Sequence, residues 1–192
     1  MNTRRIQHFA SIVMLLAWVL FMPSACSKHD ESVDISHAVS VATGTYRATI
    51  TPTMGTQKMA QGIHPVKLEA VNDTQIRIHF EDFNAPMMED NGQLSKTKFM
   101  PFMVSVDFLM EVKTNRTTEI TFKSIKGTFV AKPKNGKQVS ESEIPEGILP
   151  PNMKGFSTDK AEAEGSIKDG KLRLNVSPKI LPVTIIIEGI RE

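Results

Sequence analysis

The sequence predicts an all-β protein, an antiparallel meander of eight or nine strands closed into a barrel, with a β-sandwich as the alternative. Three observations carry this prediction. Short runs that alternate apolar and polar residues begin at Gly44, turn residues separate these runs, and no long amphipathic helix interrupts them. Because a closed sheet has no exposed edges, a meander of this length tends to close on itself.

The runs nearest Gly44 predict three strands. The first covers about 45–52 and is expected to end at Pro52, which cannot donate a ladder hydrogen bond. The next two cover 66–70 and 76–81, and "VNDTQ" between them has the composition of a turn. Apolar and polar residues alternate in both, so that Val66, Leu68 and Ala70 face one way in the first strand, and Ile76, Ile78 and Phe80 face one way in the second.

The later runs complete the meander. Residues 104–112 give the longest alternation, and 120–131 follow with a bend at "SIKG". Asp169 and Gly170 separate two alternating runs, as in a two-residue hairpin whose glycine accepts a positive φ. The last run, 183–187, is so rich in β-branched residues that we expect a central or closing strand covered on both faces.

Two segments are long for hairpin connections and are candidates for functional loops. They are residues 84–101 and residues 133–159. The second contains Pro133, Pro145, Pro150 and Pro151, which exclude a regular helix or central strand across it. Insertions that the fold merely tolerates have the same composition.

The first 25 residues have the composition of a signal peptide. Arg4 and Arg5 precede an uncharged run at 9–22, which is shorter than the ~20 residues that a membrane-spanning helix needs. Small residues at 23–25 suit signal-peptidase cleavage. We therefore predict a signal peptide at 1–25, a segment at 26–43 that begins with Cys26 and forms a flexible tether, and a barrel domain at 44–192. An edge segment near 35–41 is an option within the tether.

Charge and cysteine content argue against a nucleic-acid-binding protein and against a domain held by internal disulfides. Without residues 1–25, 21 basic side chains stand against 21 acidic ones, so a basic nucleic-acid-binding face is not indicated. Because the chain has a single cysteine, it cannot form an internal disulfide, and its core must hold the exported domain together.

Cys26 lies directly after the apolar run and Ser24-Ala25. This stretch resembles a bacterial lipobox, with Pro23 where leucine is usual, and the resemblance implies that Cys26 is acylated. A buried thiol and an intermolecular disulfide are the alternatives. The residues after it, with Lys28, Asp30 and Glu31, resemble the export signal of surface-exposed lipoproteins of the Bacteroidota. That resemblance implies an outer-membrane location facing outward; a solvated tether is the simpler interpretation.

The order of four segments carries a further resemblance. "GTYRATIT", "VKLEAVNDTQIRIHFEDF", "VSVDFLMEV" and "AEGSIKDGKLRLNV" follow one another along the chain. This order resembles the calycin-like β-barrel lipoproteins of Bacteroidota over residues 44–190. The resemblance implies a calycin- or lipocalin-like barrel. The family shares no catalytic residues that could be transferred to this chain.

No catalytic or metal-binding pattern stands out. The histidines lack metal-ligand spacing with one another or with cysteine, and no Gly-x-Ser-x-Gly elbow occurs. His64 and His79 are interpreted as surface residues. We therefore expect a non-enzymatic protein without a cofactor.

Methionine and phenylalanine concentrate around the first long segment. The candidate binding residues are Phe83, Met87, Met88, Phe99, Met100, Phe102 and Met103. In one interpretation they fill an irregular barrel end. In another they form a soft apolar mouth for a small hydrophobic ligand, or a docking surface for an envelope protein. A minor alternative is haem or soft-metal binding through the methionines.

Overall fold

The computed structural model describes residues 34–116, 119–134, 136, 154–179 and 182–192. The predicted signal peptide lies outside the described residues, and so do Cys26, Lys28, Asp30 and Glu31. Most of the second long segment, 137–153, is also outside them.

The described residues form one helix and twelve strands. Their bounds are α1 Ile35–Ala42, β1 Gly44–Met54, β2 Gln57–Lys58, β3 Gly62–Asn72, β4 Gln75–Phe83, β5 Pro86–Met88, β6 Leu94–Phe99, β7 Phe102–Arg116, β8 Glu119–Pro133, β9 Phe156–Thr158, β10 Glu162–Lys168, β11 Lys171–Ser177 and β12 Val183–Arg191.

Eight of these strands close into an antiparallel barrel, which confirms the predicted fold class and excludes the sandwich. The order around the barrel is β10, β11, β12, β1, β3, β4, β7 and β8, and β8 pairs with β10 to complete the ring. Strands β2 and β9 extend this sheet, while β5 and β6 form a separate hairpin. Within the described ranges, no helix is long and apolar enough to span a membrane.

Side chains fill the interior of the barrel. The inward positions of β7 alternate with outward ones, so that Val104, Val106, Phe108, Met110 and Val112 are all buried, as predicted. Many inward side chains have no accessible surface at all; examples are Tyr46, Ile50, Val66, Ile76, Ile78, Phe108, Met110, Leu172, Val176 and Ile187. A water-sized space beside them would expose some of their surface. The barrel is therefore packed along these side chains and has no ligand-sized lumen there.

Bulges and tight turns shape the wall, and two of the bulges lie on β4 and β8. Asp82, at φ 53°, adds one residue between Phe80 and Phe83 opposite β7, so both phenylalanines point inward. Ile125 is the extra residue on β8 opposite β7, which places the predicted bend inside a continuous strand. Asp169 and Gly170 both have positive φ between β10 and β11, as expected of the predicted hairpin turn.

Residues 35–42 form α1 and not an edge segment or flexible chain. Asp34 caps the helix, since its carboxylate accepts hydrogen bonds from the backbone N–H groups of Ser36 and His37. Ala38, Val39 and Ala42 are buried in the core. The sequence prediction missed α1 because eight residues are too few to show a helical period.

Two strand details also differ from expectation. Pro52 lies inside β1 and is buried. The strand tolerates a proline there because the Pro52 carbonyl accepts a hydrogen bond from the Met59 N–H, so its nitrogen lies on the same side, where β3 no longer pairs with β1. The last strand, β12, does close the sheet between β11 and β1. Its outer face is not covered, however, since Ile186 and Ile190 are exposed.

Candidate functional site at the hairpin end

The β5–β6 hairpin lies at the end of the barrel opposite α1. Helix α1 precedes the start of β1, whereas the hairpin connects the end of β4 to the start of β7. The segment before β3 holds the hairpin in place: the Met88 N–H donates to the Met59 carbonyl (2.8 Å), and the Gln61 N–H donates to the Pro86 carbonyl. Gly62 permits this approach, since a Cβ there would lie 2.9 Å from that of Ala85.

The side chain of Asn84 holds the chain in place where it enters β7. Its side-chain NH₂ group donates to the carbonyls of Met100 (2.7 Å) and Phe102 (2.9 Å). The Met100 N–H also donates to the Ala85 carbonyl. Three hydrogen bonds thus join the two sides of the hairpin base, so the side chains around it are held by a fixed backbone.

Aromatic rings seal the barrel beneath the hairpin. The rings of Phe80, Phe83 and His64 pack edge to face, with centroids 5.7–6.2 Å apart. Nε2 of His64 lies 2.8 Å from the Glu81 carbonyl, so this histidine is a half-buried part of the seal and not the surface residue that we predicted. On the other side, Phe156 of β9 contacts Phe102 and Phe129.

The seven predicted site residues divide by burial. Phe83 and Phe102 are buried in the core. The four methionines, Met87, Met88, Met100 and Met103, are half-buried. Phe99 is exposed, and the ammonium of Lys134 lies 4.6 Å from its ring centroid. The structure brings all seven to one end, but only the last five present surface to a partner.

Two further methionines join this group. Met54, at the end of β1, and Met59, beside β5, are also half-buried. We define the methionine rim as Met54, Met59, Met87, Met88, Met100 and Met103. Sequence reasoning missed Met54 and Met59 because they are some thirty residues from the hairpin along the chain and reach it only through the pairing of β1, β2 and β5. Met110 lies in the core, and Met153 is outside the described residues.

Charged groups lie mainly on the outer wall. Arg77 donates two hydrogen bonds to the Asp107 carboxylate (2.7 and 2.8 Å), which lowers the pKa of Asp107 and raises that of Arg77. His79 Nε2 lies 3.4 Å from Glu69 on the same wall. Among the residues that the structure describes, no group of three histidine, cysteine or acidic side chains could hold a metal ion.

Comparison with known proteins gives structural matches but no sequence match. No protein-family profile matches the chain, and no curated sequence matches it. The solved structures that match include a "putative outer membrane protein" from Bacteroides fragilis, with a TM-score of 0.44 and 11% identity over 82% of this chain. The match covers 53% of that protein, so this chain spans about half its length. A likeness this distant carries no functional argument.

Proposed function

We propose that the protein is a lipid-anchored, non-catalytic binding module of the outer membrane, facing outward, whose methionine rim docks another envelope protein. The lipid anchor rests on the lipobox-like sequence at Cys26, and the outward location on the resemblance of 27–31 to an export signal. Each buried acyl methylene contributes about 0.8 kcal/mol, so several chains would hold the protein on the membrane permanently.

The distribution of charge supports an anchored barrel over a membrane-spanning one. The interior of this protein's barrel is apolar, and the outward positions of β4 and β7 carry charged residues such as Arg77 and Asp107. A barrel that spans a membrane has an apolar outer band. The observed arrangement suits a domain that is surrounded by water and attached by its N-terminal segment.

The observation that carries the docking proposal is the position of the methionines. All six half-buried methionines of the described chain lie at one end of the barrel. Unbranched thioether side chains adapt to different shapes, and they are frequent at surfaces that accept a partner. An exposed phenylalanine, Phe99, extends the same surface.

The filled interior favours a protein over a small ligand as the occupant of the rim. A small hydrophobic ligand is usually buried over most of its surface in a concave pocket. Because side chains occupy the barrel interior, a ligand at this end would lie on the rim and remain largely exposed. A protein surface can cover the rim without entering the barrel. The small hydrophobic ligand is the second candidate, supported by the same soft apolar side chains.

Replacing Met87, Met88, Met100 and Met103 together by serine tests the docking proposal. We expect the variant to fold and to lose a stoichiometric protein partner in pull-downs from solubilised outer membrane. Val71→Ser with Ile125→Ser, two exposed apolar residues outside the rim, is the control and should keep the partner. Native mass spectrometry that finds a small molecule and no protein would favour the second candidate. Unchanged capture by the quadruple variant would reject the rim.

The anchor has its own test. A Cys26→Ala protein should lose acyl labelling and leave the membrane fraction, while the barrel stays folded. A mature chain that carries no fatty acyl group would contradict the anchor and leave the methionine rim untouched.

A further inference from the structure

A second surface lies on the outer wall, across β3, β1, β12 and β11. Antiparallel register places Ile190 between Arg47 and Lys171 in one row of side chains. The next row runs from Ile63 through Thr49 and Glu188 to Arg173. Together these residues line a shallow groove of about 350 Å³, which we call the cationic groove.

The cationic groove combines exposed apolar and basic side chains. Ile63 and Ile190 are 61% and 57% exposed, among the highest values for large apolar residues of the described chain. Three cations surround them, Arg47, Lys171 and Arg173, all exposed. Isoleucine exposed beside basic residues is typical of a protein surface that rests on lipid headgroups.

The charge of the groove and its borders is positive. Glu188 is the acidic residue of the lining and lies 3.4 Å from Arg173, so it offsets one of the three cations. Lys67 continues the wall on β3, and Lys168 faces Lys171 across the β10–β11 hairpin, whose tip carries Asp169. An anionic partner is therefore favoured over a neutral or cationic one.

The position of α1 limits how far the groove can lie from an anchor. With α1 folded onto the barrel, seven residues, 27–33, separate Cys26 from the helix cap at Asp34. A chain extends at most 3.6 Å per residue, so Asp34 lies within about 29 Å of a lipidated Cys26. The groove is at the same end of the barrel: Arg191, which follows Ile190, donates a hydrogen bond to the Val41 carbonyl of α1.

We propose that the cationic groove docks on the phosphate-bearing lipid surface to which the protein is anchored. The inference rests on the proposed lipid anchor, since a tether of seven residues keeps the α1 end within reach of the membrane. Lipid phosphates pair with Arg47, Lys171 and Arg173, and Ile63 and Ile190 enter the headgroup layer. The methionine rim then lies at the end of the barrel farther from the proposed anchor.

A vesicle-binding experiment tests the surface separately from the anchor. The chain is produced from Ser27 onward without acylation; this form keeps the entire described core, which lies within 34–192. We expect it to co-sediment with phosphatidylcholine vesicles that contain phosphatidylglycerol, and not with phosphatidylcholine alone. Screening by salt should weaken binding.

The decisive variant replaces Arg47, Lys171 and Arg173 by glutamine. Each cation near an anionic lipid surface contributes roughly fivefold to binding, so the triple variant should bind at least tenfold more weakly. The control variant carries glutamine at three exposed lysines of β8, Lys123, Lys126 and Lys132. It removes the same number of charges and should leave binding nearly unchanged. Ile63→Ser with Ile190→Ser should weaken binding without altering its dependence on salt.

Three results would overturn the proposal. The first is no binding to anionic vesicles at low salt. The second is an equal loss of binding in the groove variant and in the β8 control variant. The third is self-association of the chain that the groove variant abolishes. The last result would assign the groove to a second copy of this chain. None of them bears on acylation, which the Cys26→Ala experiment decides, so a failed groove and a failed anchor are distinguishable.

Discussion

The two ends of the barrel are closed by different means. At one end, α1 covers the interior with small residues, and the hydroxyl of Tyr46 donates a hydrogen bond to the Ala42 carbonyl (3.0 Å). At the other end, phenylalanines close the interior, and half-buried methionines surround them. One end, next to the proposed anchor, is closed by a helix with small apolar side chains and a buried hydrogen bond, and the other is closed by aromatic rings and methionines. This difference agrees with the proposed roles, attachment at the α1 end and docking at the methionine rim.

Truncating Phe83 should break the apolar end with the largest effect. Phe83→Ala removes a buried ring and should lower the free energy of unfolding by about 3–5 kcal/mol. Phe99→Ala, the same change at an exposed residue of the same hairpin end, should cost less than about 1 kcal/mol. Urea unfolding measures both. Equal losses would show that Phe83 does not close the barrel.

Asn84→Ala should loosen the hairpin end with an intermediate effect. The change leaves the carbonyls of Met100 and Phe102 without their side-chain donor, which should cost about 1–3 kcal/mol. Amide hydrogen exchange should rise around 85–102 and stay unchanged in α1. Asn175→Ala, at an exposed position of β11, is the control. Faster exchange in α1 would mean that the two ends are not independent.

Tyr46→Phe should loosen the α1 end with a smaller effect. Burial raises the pKa of Tyr46, so its hydroxyl stays protonated and available to donate to Ala42. Removing that hydroxyl keeps the ring packing and should cost about 0.5–1.5 kcal/mol. Amide exchange in α1 should rise while the hairpin amides keep their rates. If α1 exchange does not change, packing of Val39 and its neighbours holds the helix by itself.

The Arg77–Asp107 pair lies on the wall between the ends and should have the smallest effect. The hydrogen bond and charge of Arg77 lower the pKa of Asp107 in the folded protein. Its stabilising contribution is therefore present above the unfolded pKa of about 4 and is lost as pH falls through the lower folded value. Because both side chains are half-exposed, this contribution is at most about 1 kcal/mol.

In Asp107→Asn, the free energy of unfolding should fall less steeply as the pH is lowered than in the unchanged protein. Urea unfolding between neutral pH and about pH 3 measures this dependence. Asp73→Asn, in the exposed β3–β4 turn, removes the same charge and is the control. An unchanged acid limb in Asp107→Asn would contradict a stabilising role for the pair.

Strands and turns were predictable because their signals are local. Alternation of the inward residues of β4 and β7 follows from the two-residue period of a strand, and the Asp169-Gly170 turn follows from the positive φ that glycine accepts. The seven candidate site residues lie at one end of the barrel, and their role in binding stays a prediction. Their burial was not predictable, since a phenylalanine in the core and one on the surface look alike in sequence.

Features that depend on distant contacts were missed. α1 is too short to show a period, and it is stabilised by burial against strands that follow later in the chain. Pro52 lies within a strand only because β3 stops pairing two residues earlier. The filled interior likewise depends on which side chains meet across the barrel. The acylation of Cys26 and the export signal stay predictions, since both lie outside the described residues.

The sequence by itself determined the all-β class, the antiparallel order and most strand positions, because residue period and turn chemistry act over a few neighbouring residues. Only the tertiary structure decided that α1 closes one end, that six methionines surround the other, and that the cationic groove forms on the outer wall. These features join residues from strands far apart in the chain, and their positions are set by strand register and barrel closure.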